Sequence, residues 1–167
     1  MVNNKFLIVI AVIVAVMAAL VFMPGIRSAP PELQQDLNME YSRQNLTRLE
    51  DGRFVAASAE DLVIKNDRSA TYRNLTGGLN TKQFTISGEE WDNLKGLVIS
   101  TGFMQVPGDD YPQKEGLANV TKYTLKLTSG GSSKTVTWFN LEASQGTVPS
   151  IVRNIGAQLD DIIEMRT

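Results

Sequence analysis

The hydrophobic pattern divides the chain into an apolar N-terminal stretch and a longer mixed segment. Every position from Phe6 to Met23 is apolar, and Pro24 and Gly25 end the run. A helix over this stretch rises about 27 Å, close to the thickness of the hydrocarbon core of a bilayer. The pattern therefore predicts one membrane-spanning helix in residues 1–23, with residues 6–23 in contact with lipid.

Two interpretations of this helix compete, a retained signal anchor and a cleaved signal peptide. The run is longer than the apolar region of most cleaved signals, which is about 7–15 residues. The nearest cleavage position, after Ala29, places Arg27 where a small residue is needed. Retention is therefore favoured, and cleavage is the alternative. Because most of the chain follows the anchor, we expect a single-pass cell-membrane protein with its N-terminus inside and residues 24–167 outside.

A linker is predicted between the anchor and a compact domain. Residues 24–34 contain three prolines, which block helix and strand alike and favour an extended spacer. The next apolar positions fall roughly on one helical stripe, namely Leu33, Leu37, Tyr41 and Leu49. This spacing predicts a stalk helix over residues 33–49, with packing on the domain or on a partner as the alternative. We interpret residues 24–52 as linker or stalk and residues 53–167 as the domain.

The first half of the domain predicts short strands followed by one capped helix. Three segments carry strand patterns, namely residues 62–65, 70–75 and 82–86. Ser87 and Glu90 have the spacing of a capping box, in which each side chain bonds the backbone amide of the other residue. A helix is predicted from there to Gly102, and its apolar face consists of Trp91, Leu94, Leu97 and Val98.

The second half of the domain predicts a hairpin. Residues 120–128 alternate and are rich in β-branched and aromatic side chains. Residues 129–132 have the composition of a tight turn, and residues 134–139 return as the partner strand.

A final helix follows the hairpin. Thr147 and Pro149 are typical of a helix start, and an apolar face runs through Val148, Ile151, Val152, Ile155, Leu159, Ile162 and Ile163. Asp160 and Asp161 are expected on its solvent face, and each tryptophan in the core. The element order is ββαββα. The expected fold class is therefore α+β, an antiparallel sheet with two helices in a two-layer sandwich behind the transmembrane helix.

Composition restricts the chemistry that the chain can carry out. The 167 residues include no His and no Cys. A Ser-His-Asp triad, a Cys-His pair, an ordinary structural zinc site, a disulfide and a lipid-bearing Cys are thereby excluded. The formal net charge is −2, with no basic stripe, which argues against a nucleic-acid partner. We expect no enzymatic activity, no cofactor and no metal.

The loop between the first helix and the strongest strand is the candidate recognition site. Residues 107–119 have no periodic apolar face, and they carry the candidate partner-binding residues Asp109, Asp110, Tyr111 and Glu115. Loops on a rigid scaffold commonly hold recognition residues, and tyrosine commonly anchors interfaces. The alternatives are a plain solvated connection and a calcium loop, although the acidic spacing matches no known calcium loop.

Three asparagines occur in N-x-Thr triplets and are candidates for glycosylation: Asn45, Asn74 and Asn119. Their presence is compatible with an outside location. The alternative is that these asparagines serve turns and strand ends.

Several motifs occur in a characteristic order. They are the strand end at residues 84–86, the capped helix with Trp91, the segment 101–107 (TGFMQVP), the strand 122–131 and the returning residues 134–137. The order resembles the emfourin-like family, small protein inhibitors of thermolysin-type metalloproteases, over about residues 62–165. The chain departs from that family where Lys134 replaces a frequent His and Met104 an aromatic residue. The resemblance implies an α+β fold and inhibition by a loop, 66–80 or 106–119, inserted into a protease cleft.

The sequence thus predicts a membrane-anchored, extracytoplasmic protein-binding domain. The most specific version of this prediction, which the resemblance implies, is inhibition of a metalloprotease. The alternative is a non-catalytic accessory subunit of a membrane protein complex, in which residues 6–23 pack against other membrane helices. A partial stripe of small residues in that segment, Ala11, Ala15, Ala18 and Ala19, is compatible with such packing.

Overall fold

A computed structural model describes residues 36–166 of the chain. The compact unit that contains them extends from Gln35 to Thr167. The predicted membrane helix and the proline-containing spacer lie outside the described residues. Within the described part, no helix is long and apolar enough to cross a bilayer.

Six antiparallel strands form one sheet. They are β1 (Leu37–Arg48), β2 (Phe54–Ile64), β3 (Ser69–Asn74), β4 (Asn80–Thr85), β5 (Asn119–Ser129) and β6 (Ser132–Phe139). Their order across the sheet is β4-β3-β2-β1-β5-β6. Two helices complete the described part, α1 (Gly88–Ser100) and α2 (Ser150–Arg166), with a 3-10 turn at Phe103–Gln105. The α+β class is confirmed, but the element order is ββββαββα and not ββαββα.

The predicted stalk helix is wrong, because residues 37–48 form β1 in the middle of the sheet. The misleading positions were Leu37 and Tyr41, which are four residues apart. That spacing fits one turn of a helix, but it also equals two repeats of a strand. Met39 decides between them, since it lies between the other two and all three side chains are buried. The domain therefore begins near Gln35 and not at residue 53.

The pairing of β1 also explains why β2 is longer than predicted. β1 and β2 are paired from Met39 opposite Ile64 to Arg48 opposite Phe54. One bulge, between Asn45 and Leu46, interrupts the pairing. The β2 segment before residue 62 carries few large apolar side chains, so its strand character comes from the partner and not from local pattern.

The core lies between one face of the sheet and the two helices. Buried side chains alternate with more exposed ones along the strands, as expected for an antiparallel sheet with one covered face. Trp91 and Trp138 are 6% and 4% exposed, so both belong to the core as predicted. The other large contributors from the helices are Leu94, Val98, Val152, Ile155, Leu159, Ile162 and Ile163.

Local signals place both ends of α1 correctly. The Glu90 amide donates to the Ser87 hydroxyl over 3.1 Å, and the Ser87 amide donates to the Glu90 carboxylate over 2.7 Å. Gly102 follows the helix in the left-handed conformation, with φ of 68°. The start of α2 was predicted slightly early. The helix begins at Ser150, and Val148 is buried before it.

Removing β1 is expected to prevent folding. A chain of residues 53–167 keeps both helices but loses the central strand, whereas a chain of residues 35–167 keeps the whole compact unit. We expect a cooperative urea transition, followed by circular dichroism, only for the longer chain. Met39→Ala in the longer chain is expected to cost about 2–5 kcal/mol because Met39 is fully buried. Equal transition midpoints for the two chains would contradict the central position of β1.

Candidate functional site

The candidate loop, residues 107–119, begins by running along the free edge of β6. The Thr137 amide donates to the Asp109 carbonyl over 2.8 Å, and the Tyr111 amide donates to the Thr137 carbonyl over 2.9 Å. Asp110 and Thr137 thus form a short parallel bridge. Because this contact occupies backbone groups on the edge strand, it both fixes the loop and protects the edge.

A second set of backbone hydrogen bonds fixes the middle of the loop to the segment after β6. The Lys114 amide donates to the Ala143 carbonyl over 2.7 Å, and the Gln145 amide donates to the Pro112 carbonyl over 2.6 Å. The Lys114 ammonium also donates to the Glu142 carbonyl over 3.0 Å. The loop has no long helix or strand of its own, yet its backbone is held from two directions.

The four candidate side chains of the loop have different environments. Asp110 and Glu115 are exposed. Asp109 is also exposed, but its carboxylate is 2.7 Å from the largely buried ammonium of Lys134. Tyr111 is half-buried against the core, and its hydroxyl donates to the Pro107 carbonyl over 2.5 Å. Burial raises the pKa of Tyr111. Tyr111 therefore anchors the loop, and the exposed carboxylates are what the loop presents.

A partly buried polar network centred on Arg43 was not predicted from the sequence. The guanidinium donates twice to one Glu60 oxygen, over 2.9 and 2.7 Å, and once to Asp160 over 3.2 Å. The Tyr41 hydroxyl donates to the same Asp160 oxygen over 2.9 Å, and the Tyr72 hydroxyl donates to the other oxygen of Glu60 over 3.1 Å. The network thereby links β1, β2, β3 and α2.

The prediction that Asp160 lies on the solvent face of the last helix is wrong, whereas Asp161 is exposed as expected. The Asp160 side chain is 22% exposed and turns toward the sheet. Burial raises its pKa, while the charge of Arg43 and the hydrogen bond from Tyr41 act in the opposite direction. Its partners lie more than a hundred residues earlier in the chain, so the local helix pattern contained no signal for them.

Three aromatic rings stack beside this network. The ring centroids of Tyr123 and Trp138 are 5.4 Å apart at an interplanar angle of 16°, and those of Tyr41 and Tyr123 are 6.3 Å apart at 18°. Trp138 also lies directly against Gly156 of α2, where an added Cβ would come within 2.8 Å of the indole ring. Glycine at this position therefore lets α2 approach the stack closely.

A surface groove of about 600 Å³ runs along α2 next to the aromatic stack. Residues 139–142, the end of β6 and the turn after it, also line the groove. The groove combines aromatic rings with charged side chains, which include Arg153, Glu142 and Asp160. No sequence motif indicated this groove, because its walls come from β1, β5, β6 and α2.

The side chains of the three glycosylation candidates all form hydrogen bonds. The Asn45 side chain, within β1, donates to the Ser58 hydroxyl over 2.7 Å and accepts from the Thr121 hydroxyl over 2.9 Å. The Asn119 side chain accepts from the hydroxyl of Thr47. These cross-strand contacts favour the alternative role at strand ends. Asn74 ends β3 and is half-buried, and its side chain accepts from the Thr76 amide over 2.8 Å, so it also serves a strand end, whereas Asn45 and Asn119 are exposed.

No family model matches this chain, and no curated protein matches it. Among the described residues, no group of three or more Asp or Glu side chains is arranged to hold a metal ion. Asp109, Asp110 and Glu115 therefore do not form the cluster that the calcium alternative requires.

The burial of Asp160 predicts a pH effect on stability. Its pKa in the folded chain is raised above the ordinary value of 3.8. Protonation of Asp160 therefore stabilises the folded chain, and this stabilisation is complete below pH 3.8. It decreases as pH rises through the pKa that Asp160 has in the folded chain. We expect the wild type to lose stability relative to Asp160→Asn in urea unfolding as pH rises above the ordinary value of 3.8 and through the raised pKa.

The exposed neighbour provides the matched control, because Asp161→Asn removes the same charge from the same helix. Its difference from the wild type is expected to change little over this range. If the wild type instead gained stability over Asp160→Asn as pH rises, the ion pair with Arg43 would outweigh the cost of burial.

Proposed function

We propose that the chain is a non-catalytic protein-binding domain displayed on the outer side of the cell membrane, and that residues 107–119 form its recognition surface. One observation carries this proposal. The loop backbone is fixed on one side to β6 and on the other to the segment at residues 143–145, while Asp110 and Glu115 stay exposed.

A fixed loop has a thermodynamic advantage in binding. A mobile loop loses conformational freedom when it meets a partner, and that loss reduces the affinity. Here the ordering has already occurred on folding, through the amides of Tyr111 and Lys114 and the burial of the Tyr111 ring. The exposed carboxylates of Asp110 and Glu115 carry negative charge, which favours a partner with a complementary positive surface.

The sharpest form of the proposal is inhibition of a thermolysin-type metalloprotease. The resemblance to the emfourin-like family suggests it, and an α+β domain with a fixed loop is compatible with it. Inhibitors of proteases bind with little change in the backbone of their interface, which a loop of this kind allows. The membrane location rests on the apolar run of residues 6–23.

The test uses the full chain in lipid nanodiscs and purified thermolysin with a small peptide substrate. We expect the wild type to slow hydrolysis in proportion to its concentration. Asp110→Asn combined with Glu115→Gln is expected to weaken inhibition about tenfold, because it removes the exposed charges of Asp110 and Glu115. Asp92→Asn combined with Asp161→Asn is the matched control, since these carboxylates are exposed on the helices. Tyr111 is left unchanged because it packs against the core.

Two outcomes would contradict parts of this account. Full thermolysin activity at excess wild-type chain would remove the inhibitor form. Recovery of a stoichiometric set of membrane proteins with the chain, equally by the wild type and by the loop variant, would remove the loop and favour the accessory-subunit alternative.

A further inference from the structure

Arg153, in the first turn of α2, carries an unexplained polar group. Its Nε atom is buried and has no hydrogen-bond partner, and its guanidinium forms no ion pair with any residue between 36 and 166. Most other arginines of the described part do pair with acids, as Arg43 does with Glu60. A buried N–H group without a partner lowers stability, so a partner supplied from outside the chain would be favourable.

Arg153 also lines the groove along α2. Residues 153, 156, 157 and 160 lie on one face of the helix because they repeat at helical spacing. Gly156 and Ala157 in the middle have small side chains and leave room beside Trp138. The groove is thus lined by Arg153 toward the start of α2, by aromatic side chains, and by Asp160 one to two turns further along the helix.

The charges around the groove select the class of anion. A guanidinium binds either a carboxylate or a phosphate through paired N–H groups. Glu142 and Asp160 also line the groove, and their negative charges would repel a dianion more than a monoanion. Tyr123, half-buried beside Trp138, also lines the groove and is an aromatic side chain that suits an apolar or aromatic body.

We propose that this groove is a binding site for a carboxylate joined to an aromatic or apolar group, and that Arg153 receives the carboxylate. The carboxylate belongs either to a free small acid or to the C-terminus of a peptide. The site is separate from the loop at residues 107–119, so its failure and the failure of the proposed protein-binding function are distinguishable.

The test is isothermal titration calorimetry on the full chain in detergent. The probes are phenylacetate, its neutral analogue phenylacetamide, inorganic phosphate, and a short peptide ending in Phe with a free or an amidated C-terminus. We expect saturable binding of phenylacetate, of the free-acid peptide, or of both. Binding should be at least about tenfold weaker for phenylacetamide and for the amidated peptide, because each lacks the charge-assisted hydrogen bonds.

Substitutions of Arg153 test whether this residue binds the carboxylate. Arg153→Gln is expected to weaken binding about tenfold or more, whereas Arg68→Gln, which removes the same charge from an exposed turn, should leave it unchanged. Arg153→Lys keeps the charge but not the paired N–H geometry and should fall between them. Urea unfolding of each variant establishes that the domain remains folded.

Comparison of the probes also identifies the source of the carboxylate. Binding of phenylacetate indicates a free small acid, and binding of the free-acid peptide alone indicates a protein terminus. The proposal is overturned if no carboxylate probe binds, if phosphate binds as tightly as phenylacetate, or if folded Arg153→Gln binds as the wild type does.

Discussion

The pairing of β1 with strands on both of its sides is the constraint on which the remaining structure depends. Tyr41 lies opposite Leu62 of β2 and opposite Leu125 of β5, so β1 joins the β2–β4 meander to the β5–β6 hairpin. The same strand supplies Met39 to the core and Arg43 to the polar network. Backbone pairing, apolar burial and the link to α2 therefore converge on one segment.

The geometry of the proposed recognition loop, residues 107–119, depends on this arrangement. Its start lies on the edge of β6 through Thr137, and its end is tied to β1, where the Arg48 amide donates to the Ala118 carbonyl over 2.7 Å. Because β1 and β6 are both neighbours of β5, the sheet fixes the distance between the two attachment points. The loop can then present Asp110 and Glu115 without regular structure of its own.

Features with local signals were predictable from the sequence, and features that depend on distant partners were not. The capping box at Ser87 and the β5–β6 hairpin at residues 129–132 involve residues a few positions apart, and both occur where predicted. The strand β1 was mistaken for a helix because its apolar spacing fits both periods. The contacts of Arg43 and Asp160 join β1 to the last helix, and no local pattern indicates such a pair.

Amide hydrogen exchange on the full chain most directly tests the central claim that β6 and the segment after it hold the proposed recognition loop in a fixed conformation. The decisive amides are those of Tyr111 and Lys114, which donate to Thr137 and Ala143. The account predicts that both exchange far more slowly than the amide of Gly131, in the exposed β5–β6 turn. Exchange of Tyr111 and Lys114 as fast as that of Gly131 would show a mobile loop and would contradict the account.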